Sequence, residues 1–275
     1  MPGMMRLQIV PARQGAQWVR QAFAVFFSRP LAFAALFTLF AFAALVSMLL
    51  PFIGAWLLLA ALPLVSLAFM LATQRALAGR MPTPSVFLDP LRVSPGRTRT
   101  LIQMGLSYAL CSVAVIWLSD AVDGGKFEAL QEAMASGKVD PSEIDARLGD
   151  AQLQFGVLLR FSLAALLSLP FWHAPALVHW GELGLGKALF FSTVACWRNL
   201  GAFAVYGLAW FGVLVAFVIV AKLFAAVLAQ PQLLAFAGVP AGLLLSTVFY
   251  ASLYFTVTDC FAVDAGPTAG PGETA

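Results

Sequence analysis

The chain has 275 residues, of which 61% are hydrophobic and 11% are charged. A soluble domain has about 45–50% apolar and about 25% charged residues, so this composition excludes a soluble globular protein. The formal net charge of +3 is small, and the basic residues concentrate in particular loops, so we interpret them as membrane-topology signals and not as a nucleic-acid-binding surface.

The chain opens with an amphipathic segment that runs directly into an apolar one. On a helical wheel at about 100° per residue, residues 13–29 have their polar side chains on one arc, opposite Trp18 and Phe26. This pattern predicts an interfacial helix that lies on the membrane surface. Residues 31–50 carry no charge and are long enough to cross about 30 Å of hydrocarbon, which predicts a first membrane span.

Apolar segments of similar length recur along the chain. We predict six spans, over residues 31–50, 55–73, 101–119, 155–178, 200–221 and 233–257. Residues 74–100 contain five arginines and a single acid, whereas residues 120–150 contain eight acidic and three basic residues. Basic loops face the cytoplasm. The charge distribution therefore predicts a multi-pass membrane protein with both termini in the cytoplasm and residues 120–150 in the periplasm or exterior.

The remaining segments complete the predicted plan. Residues 120–150 have the pattern of a periplasmic loop with two short helices, and residues 184–198 repeat the opening pattern, which predicts a second interfacial helix. Residues 266–275 are rich in Gly, Pro and Thr and are predicted to be disordered. The predicted fold is an all-α polytopic membrane helical bundle with six transmembrane helices plus interfacial amphipathic helices, in a single membrane domain over residues 1–265.

Several short segments resemble a known family. They are Ala-Pro-Ala-Leu-Val at 174–178, Lys-Ala-Leu-Phe-Phe-Ser at 187–192, Cys-Trp-Arg-Asn at 196–199, Thr-Val-Phe-Tyr at 247–250, Asp-Cys-Phe at 259–261 and Val-Pro-Ala-Arg at 10–13. Together they resemble an uncharacterised family of proteobacterial multi-pass inner-membrane proteins, and the likeness covers nearly the whole chain. The resemblance implies an inner-membrane location and no established activity.

A more distant similarity concerns the arrangement of the helices. An interfacial helix followed at once by a span is similar to the membrane domain fused to some glycerophosphodiester phosphodiesterases. The sequence contains no soluble phosphodiesterase domain, so this similarity implies a fold and not catalysis.

Arg160 is the first candidate for a ligand-binding residue, because an ionised side chain within an apolar helix costs at least about 2.5–3.5 kcal/mol at mid-bilayer. If the fourth span begins at Phe161, Arg160 lies at the outer interface and extends to water or a lipid phosphate. If Arg160 instead points into the bundle, it can hold the anionic group of a lipid or substrate. The sequence leaves both interpretations open.

Other polar residues fall within predicted spans. Thr247, Tyr250, Tyr254 and Thr258 form a hydroxyl stripe on the sixth span, and Gln103, Ser107 and Cys111 form a shorter polar line on the third. Such lines join helices through hydrogen bonds, or they border a polar cavity between spans three, four and six. The candidate ligand-binding residues are Arg160, His173, Gln103, Tyr250 and Tyr254.

The histidines do not form a convincing metal site. His173 and His179 point about 120° apart on a helix, and His179 with Glu182 supplies only two ligands. We therefore predict no metal and interpret both histidines as interfacial residues that bond to their neighbours. Cys111, Cys196 and Cys260 are widely separated, so no disulfide framework is predicted.

The sequence lacks a phosphate-binding P-loop, an H-E-x-x-H motif and a G-x-S-x-G motif, so we predict no enzyme and no cofactor. The leading hypothesis is an accessory or scaffold protein in envelope or lipid homeostasis, with membrane lipids and other membrane proteins as partners and no nucleic acid. The alternative is a small-molecule or lipid transporter, because Pro63, Pro175 and Pro240 place prolines in three spans.

Overall fold

The computed structural model describes residues 5–136, 141–228 and 233–263. The helices in these residues are α1 (Gln14–Ser28), α2 (Pro30–Met48), α3 (Gly54–Leu77), α4 (Pro95–Asp123), α5 (Lys126–Ser136), α6 (Pro141–Leu148), α7 (Ala151–Trp172), α8 (Ala174–His179), α9 (Leu185–Arg198), α10 (Leu200–Val227) and α11 (Leu233–Cys260). Two short 3-10 helices, Pro84–Phe87 and Asp89–Arg92, connect α3 to α4. Two strands of three residues, β1 (Met5–Leu7) and β2 (Phe261–Val263), stand before α1 and after α11.

Six helical segments of the described chain are long and apolar enough to cross a membrane. They are Pro30–Met48, Gly54–Leu77, Pro95–Asp123, Ala151–His179, Leu200–Val227 and Pro240–Cys260. This arrangement confirms the predicted all-α polytopic bundle with six spans. The two short helices predicted within residues 120–150 are α5 and α6.

Except for α2, which ends at Met48 within the predicted first span, the helices extend beyond the predicted spans because backbone hydrogen bonding continues into the polar flanks. The third span begins where the Ser94 hydroxyl accepts a hydrogen bond from the Arg97 amide at 3.4 Å, and it ends at Gly124, whose φ of 68° is left-handed. Lys222 was predicted to begin a connecting loop, but it lies within α10.

The fourth predicted span, over residues 155–178, lies within the membrane-capable segment Ala151–His179. It consists of α7 and α8, which meet at His173. Pro175 stands in the first turn of α8, where a missing amide hydrogen removes no helical hydrogen bond. The break between α7 and α8 therefore lies within Trp172–Pro175, and beyond it α8 packs against α9.

The predicted interfacial helix at residues 13–29 is α1, and its apolar face is covered by protein. Trp18 and Ala22 are fully buried, where α1 packs against α10 and α11. Gly15 permits this close approach, since a Cβ at this position would lie 2.1 Å from the carbonyl oxygen of Ala202. The amphipathic pattern of α1 therefore reflects helix packing, which a helical wheel does not distinguish from contact with lipid.

The α9 helix differs from α1 because it keeps large exposed apolar side chains. It packs against α7 and α8, while the side chains of Phe190 and Trp197 remain 62% and 66% exposed. These exposed rings fit the predicted interfacial position of residues 184–198.

The beginning and the end of the described chain meet at one end of the bundle. Strands β1 and β2 pair antiparallel, with Arg6 opposite Ala262. The Asn199 side chain accepts a hydrogen bond from the Val10 amide at 2.8 Å and donates to the Gln8 carbonyl at 3.0 Å. We call this the strand end, and we call the opposite end, with α5 and α6, the acidic end. The strands were not predicted, and the predicted disordered tail at 266–275 lies outside the described residues.

Candidate functional site

Arg160 lies in an ion pair between α7 and α4. Its guanidinium is paired with the carboxylate of Asp120, and its Nε donates a hydrogen bond to the Ser119 Oγ at 2.9 Å. The guanidinium carbon also lies 4.3 Å from the centre of the Phe127 ring. The side chain is only 16% exposed and its charge is met by a protein carboxylate, and ligand binding by Arg160 stays a prediction.

A second carboxylate lies behind this pair. Asp123 is fully buried, and its Oδ2 is 4.0 Å from the Arg160 Nη2. Its Oδ1 accepts a hydrogen bond from the Gly125 amide at 2.8 Å. The space beside Asp123 is provided by Gly156 of α7, where a Cβ would lie 2.4 Å from the Asp123 Cβ. The acidic end of α4 is therefore fitted closely to α7.

His173 lies in the protein interior, and its position at the membrane interface stays a prediction. It is fully buried, and its backbone amide donates to the Ser192 Oγ at 3.0 Å. The Cys196 Sγ lies 3.7 Å from the His173 Nδ1. Burial raises the pKa of the Cys196 thiol to about 12, so the thiol stays protonated and weakly nucleophilic at neutral pH. These contacts anchor the junction of α7 and α8 to α9.

The remaining predicted site residues are not brought together. Gln103 is exposed on α4, and Tyr250 of α11 stacks on Phe69 with 5.3 Å between ring centres. Tyr254 packs against Trp180 and borders a different cavity near the strand end. No three His, Cys, Asp or Glu side chains in the described part of the chain are grouped to hold a metal ion.

One cavity lies where the sequence predicted a polar one, between spans three, four and six. It has a volume of about 230 Å³ and is also bordered by α3 at Pro63. Four hydroxyl groups line it, from Ser66, Tyr108, Ser168 and Tyr250. Tyr250 is the one predicted site residue on this cavity.

A larger groove of about 580 Å³ lies between α7, α10 and α11. We call it the lateral groove. Trp172, Phe203, Trp210 and Phe249 contribute aromatic side chains to its lining. Gly207 of α10 also borders it, and a Cβ added there would meet no atom within 4 Å. This groove was not predicted from the sequence. The aromatic residues that recur at helical spacing along α10 could have indicated it.

Two polar side chains of the lateral groove are hydrogen-bonded within the protein, whereas the buried Trp210 Nε1 has no hydrogen-bond partner among the described residues. The Trp172 Nε1 donates a hydrogen bond to the Thr256 Oγ1 at 3.1 Å. The hydroxyl groups of Tyr206 and Ser252 form a hydrogen bond of 2.6 Å. With these groups paired, the lining of the groove offers mainly apolar surface.

A comparison with curated proteins gives a relative over nearly the full length. The chain is 33% identical over 262 residues to a protein from Burkholderia thailandensis named probable inner membrane protein, and the match covers 94% of this chain and 95% of the relative. The chain belongs to this inner-membrane protein family. No protein-family model matches the chain. No solved structure matches it.

Membership in this inner-membrane family agrees with the six membrane spans of the fold. It supports the predicted resemblance to inner-membrane proteins. The distant similarity to the membrane domain of glycerophosphodiester phosphodiesterases is not shown, and it stays a prediction.

Proposed function

We propose that this inner-membrane protein is a non-enzymatic accessory protein in envelope or lipid homeostasis, and that it holds a membrane phospholipid in the lateral groove. The observation that carries the proposal is the groove itself, with about 580 Å³ of space between three helices that contain membrane spans. Phospholipid acyl chains are the most abundant apolar groups around a membrane span, so they are the natural occupant.

The chemistry of the lining favours an acyl chain over a polar solute. Tyr206 and Trp172 direct their polar atoms to Ser252 and Thr256, so these groups are not free to bind a solute. The rings of Phe203 and Phe249 add apolar contact surface. An acyl chain gains dispersion contacts in such a groove and loses no hydrogen bond on entering it.

Two glycines of α10 allow a matched test. Gly207 borders the lateral groove and Gly212 does not, while both positions have open space for a side chain. Gly207→Leu therefore fills the groove, and Gly212→Leu adds the same side chain to the same helix outside it. The measurement is native mass spectrometry of the purified protein after detergent exchange.

The wild type and Gly212→Leu are expected to retain phospholipid that Gly207→Leu loses. Equal retention by all three proteins, or no retained lipid in the wild type, contradicts lipid binding in the lateral groove. Comparable unfolding temperatures of the two variants show that loss of lipid does not follow from misfolding.

The alternative function is transport of a small polar or amphipathic solute, and the hydroxyl-lined cavity at Pro63 favours it. Its volume of about 230 Å³ is smaller than a typical pocket of about 300–1,000 Å³ for drug-sized ligands, so the solute would be small. The test is flux into proteoliposomes across a broad panel of solutes, with Tyr108→Phe/Tyr250→Phe as the variant. No flux by the wild type rejects transport.

A further inference from the structure

A second groove, of about 620 Å³, opens where the Asp89–Arg92 turn meets the beginning of α4. We call it the arginine groove. Arg92 and Arg99 line it, and both side chains are exposed. Gln103 lies one helical turn beyond Arg99 and also lines it, so the groove combines two cations with an amide.

The arginines of this groove differ from their neighbours in having no carboxylate partner. Arg75 is paired with Asp89, and Arg97 is paired with Glu182. Within the residues that the structure describes, Arg92 and Arg99 form no ion pair and no side-chain hydrogen bond. The nearby acids, Asp89 and Glu182, are paired with other arginines, so the groove keeps a net positive charge.

An apolar track continues from the arginine groove along α4. Arg99, Gln103, Leu106 and Leu110 are spaced by four, three and four residues, which places them on one face of the helix. Ile102, Leu106 and Leu110 are 53%, 60% and 63% exposed. The face therefore presents positive charge first, then an amide, then aliphatic side chains.

This order matches an amphipathic anion, and we propose that the arginine groove binds the phosphate headgroup of an anionic phospholipid in the leaflet where α4 begins. Arg92 and Arg99 hold the phosphate oxygens, Gln103 donates to the ester region, and an acyl chain follows Ile102, Leu106 and Leu110. Guanidinium groups suit this role because they donate paired hydrogen bonds to phosphate. The site lies on α4, so it stands independently of the lateral groove and of the function proposed there.

The experiment compares two double variants of the full-length protein by native mass spectrometry in detergent. Arg92→Gln/Arg99→Gln removes the arginine groove charges, and Arg13→Gln/Arg20→Gln removes the same charge from exposed positions on and beside α1. Each protein is titrated with phosphatidylglycerol and with neutral phosphatidylcholine. A basic residue near a membrane surface contributes about fivefold in affinity. The affinity of Arg92→Gln/Arg99→Gln for phosphatidylglycerol is therefore expected to fall about 30-fold, while its affinity for phosphatidylcholine stays unchanged.

Three results would overturn the proposal. In the first, the two double variants lose affinity for phosphatidylglycerol equally, which indicates general charge attraction without a specific site. The wild type binds both lipids equally, which indicates no headgroup selection. Inorganic phosphate binds the wild type as tightly as phosphatidylglycerol does, which indicates a site for a free anion. Gly207→Leu is expected to leave phosphatidylglycerol selection unchanged, so failure here and failure of lipid binding in the lateral groove are distinguished.

Discussion

The guanidinium of Arg160 on α7 and the carboxylate of Asp120 on α4 join two membrane spans through an ion pair. The two residues are 40 positions apart in sequence, and the intervening chain forms α5 and α6. Ser119 and Phe127 complete the surroundings of the guanidinium. Arg160, the first candidate binding residue in the sequence, thus connects α4 and α7 at the acidic end.

Replacing Arg160 with Leu is expected to lower the free energy of unfolding by about 1.5–3 kcal/mol, the range for hydrogen bonds to charged groups. Asp120→Asn should lower it less once Arg160 is already replaced, so a double-mutant cycle isolates the pair. Arg147→Leu is the control, because its exposed ion pair with Glu143 contributes about 0.3–0.5 kcal/mol. Reversible unfolding in mixed micelles measures the wild type, the two single variants, their double variant and Arg147→Leu. Additive effects of Arg160→Leu and Asp120→Asn would contradict the pairing.

Gly156→Ala is expected to destabilise the protein by about 1–3 kcal/mol, because the added methyl group overlaps buried Asp123. Gly212→Ala is the matched control on a lipid-exposed face, where Ala stabilises a helix by about 0.5–1 kcal/mol relative to Gly. The unfolding temperatures in one detergent should therefore move in opposite directions. A stabilised Gly156→Ala protein would show that α4 and α7 are not in close contact there.

Asp150 gives a prediction of pH dependence. The Lys126 ammonium donates to its carboxylate at 2.7 Å and holds the pKa of Asp150 below the usual 3.8. Asp150 also accepts from the Leu153 amide at 2.9 Å and so caps α7. A carboxyl group with a lowered folded-state pKa stabilises the fold fully above its unfolded pKa, and this contribution is lost as the pH falls through the lowered value.

The wild type is therefore expected to unfold at a higher temperature than Asp150→Asn at pH 7, and the difference should narrow as the pH is lowered below 3.8. Thermal unfolding at a series of pH values, with Asp145→Asn as a control on the exposed side of α6, measures this difference. A difference that stays constant with pH would exclude Asp150 as the titrating group.

The native cysteines permit a labelling test of topology. Burial keeps the Cys196 thiol protonated, Cys260 is also buried, and Cys111 is exposed on a membrane span. A membrane-impermeant maleimide is therefore expected to label none of the three in intact cells. Ala78→Cys and Ser142→Cys add exposed thiols at the predicted cytoplasmic and periplasmic sides.

Ser142→Cys should be labelled once the outer membrane is permeabilised, whereas Ala78→Cys should be labelled only after the inner membrane is opened. Labelling in the reverse order would invert the predicted orientation of both termini. Denatured samples, in which every cysteine reacts, provide the reference for complete labelling.

The six spans could be predicted because each is encoded locally, by about twenty apolar residues in sequence. The partner of Arg160 could not be predicted, because whether Arg160 pairs with a lipid or with Asp120 depends on how α4 and α7 pack. The pairing of Asn199 with Val10 joins positions 189 residues apart, and no local pattern indicates it.

The hydroxyl stripe shows the same limit within one helix. Tyr250 and Tyr254 were singled out on the sixth span, but Ser252 and Thr256 are the residues whose hydroxyl groups hydrogen-bond to neighbouring helices. A helical period shows which residues share a face, and it does not show which face meets another helix. The residues that line a cavity depend on which helix faces meet. The sequence therefore predicted a polar cavity between spans three, four and six but not most of the residues that line it.

The pairing of β1 with β2 sets the order in which the molecule is completed. Strand β1 pairs with Phe261–Val263, and α1 packs mainly against α10 and α11, which lie near the other end of the described chain. Until α10 and α11 are synthesised, the surface of α1 that packs against them stays uncovered. Closure of the bundle therefore follows the synthesis of α11 and β2.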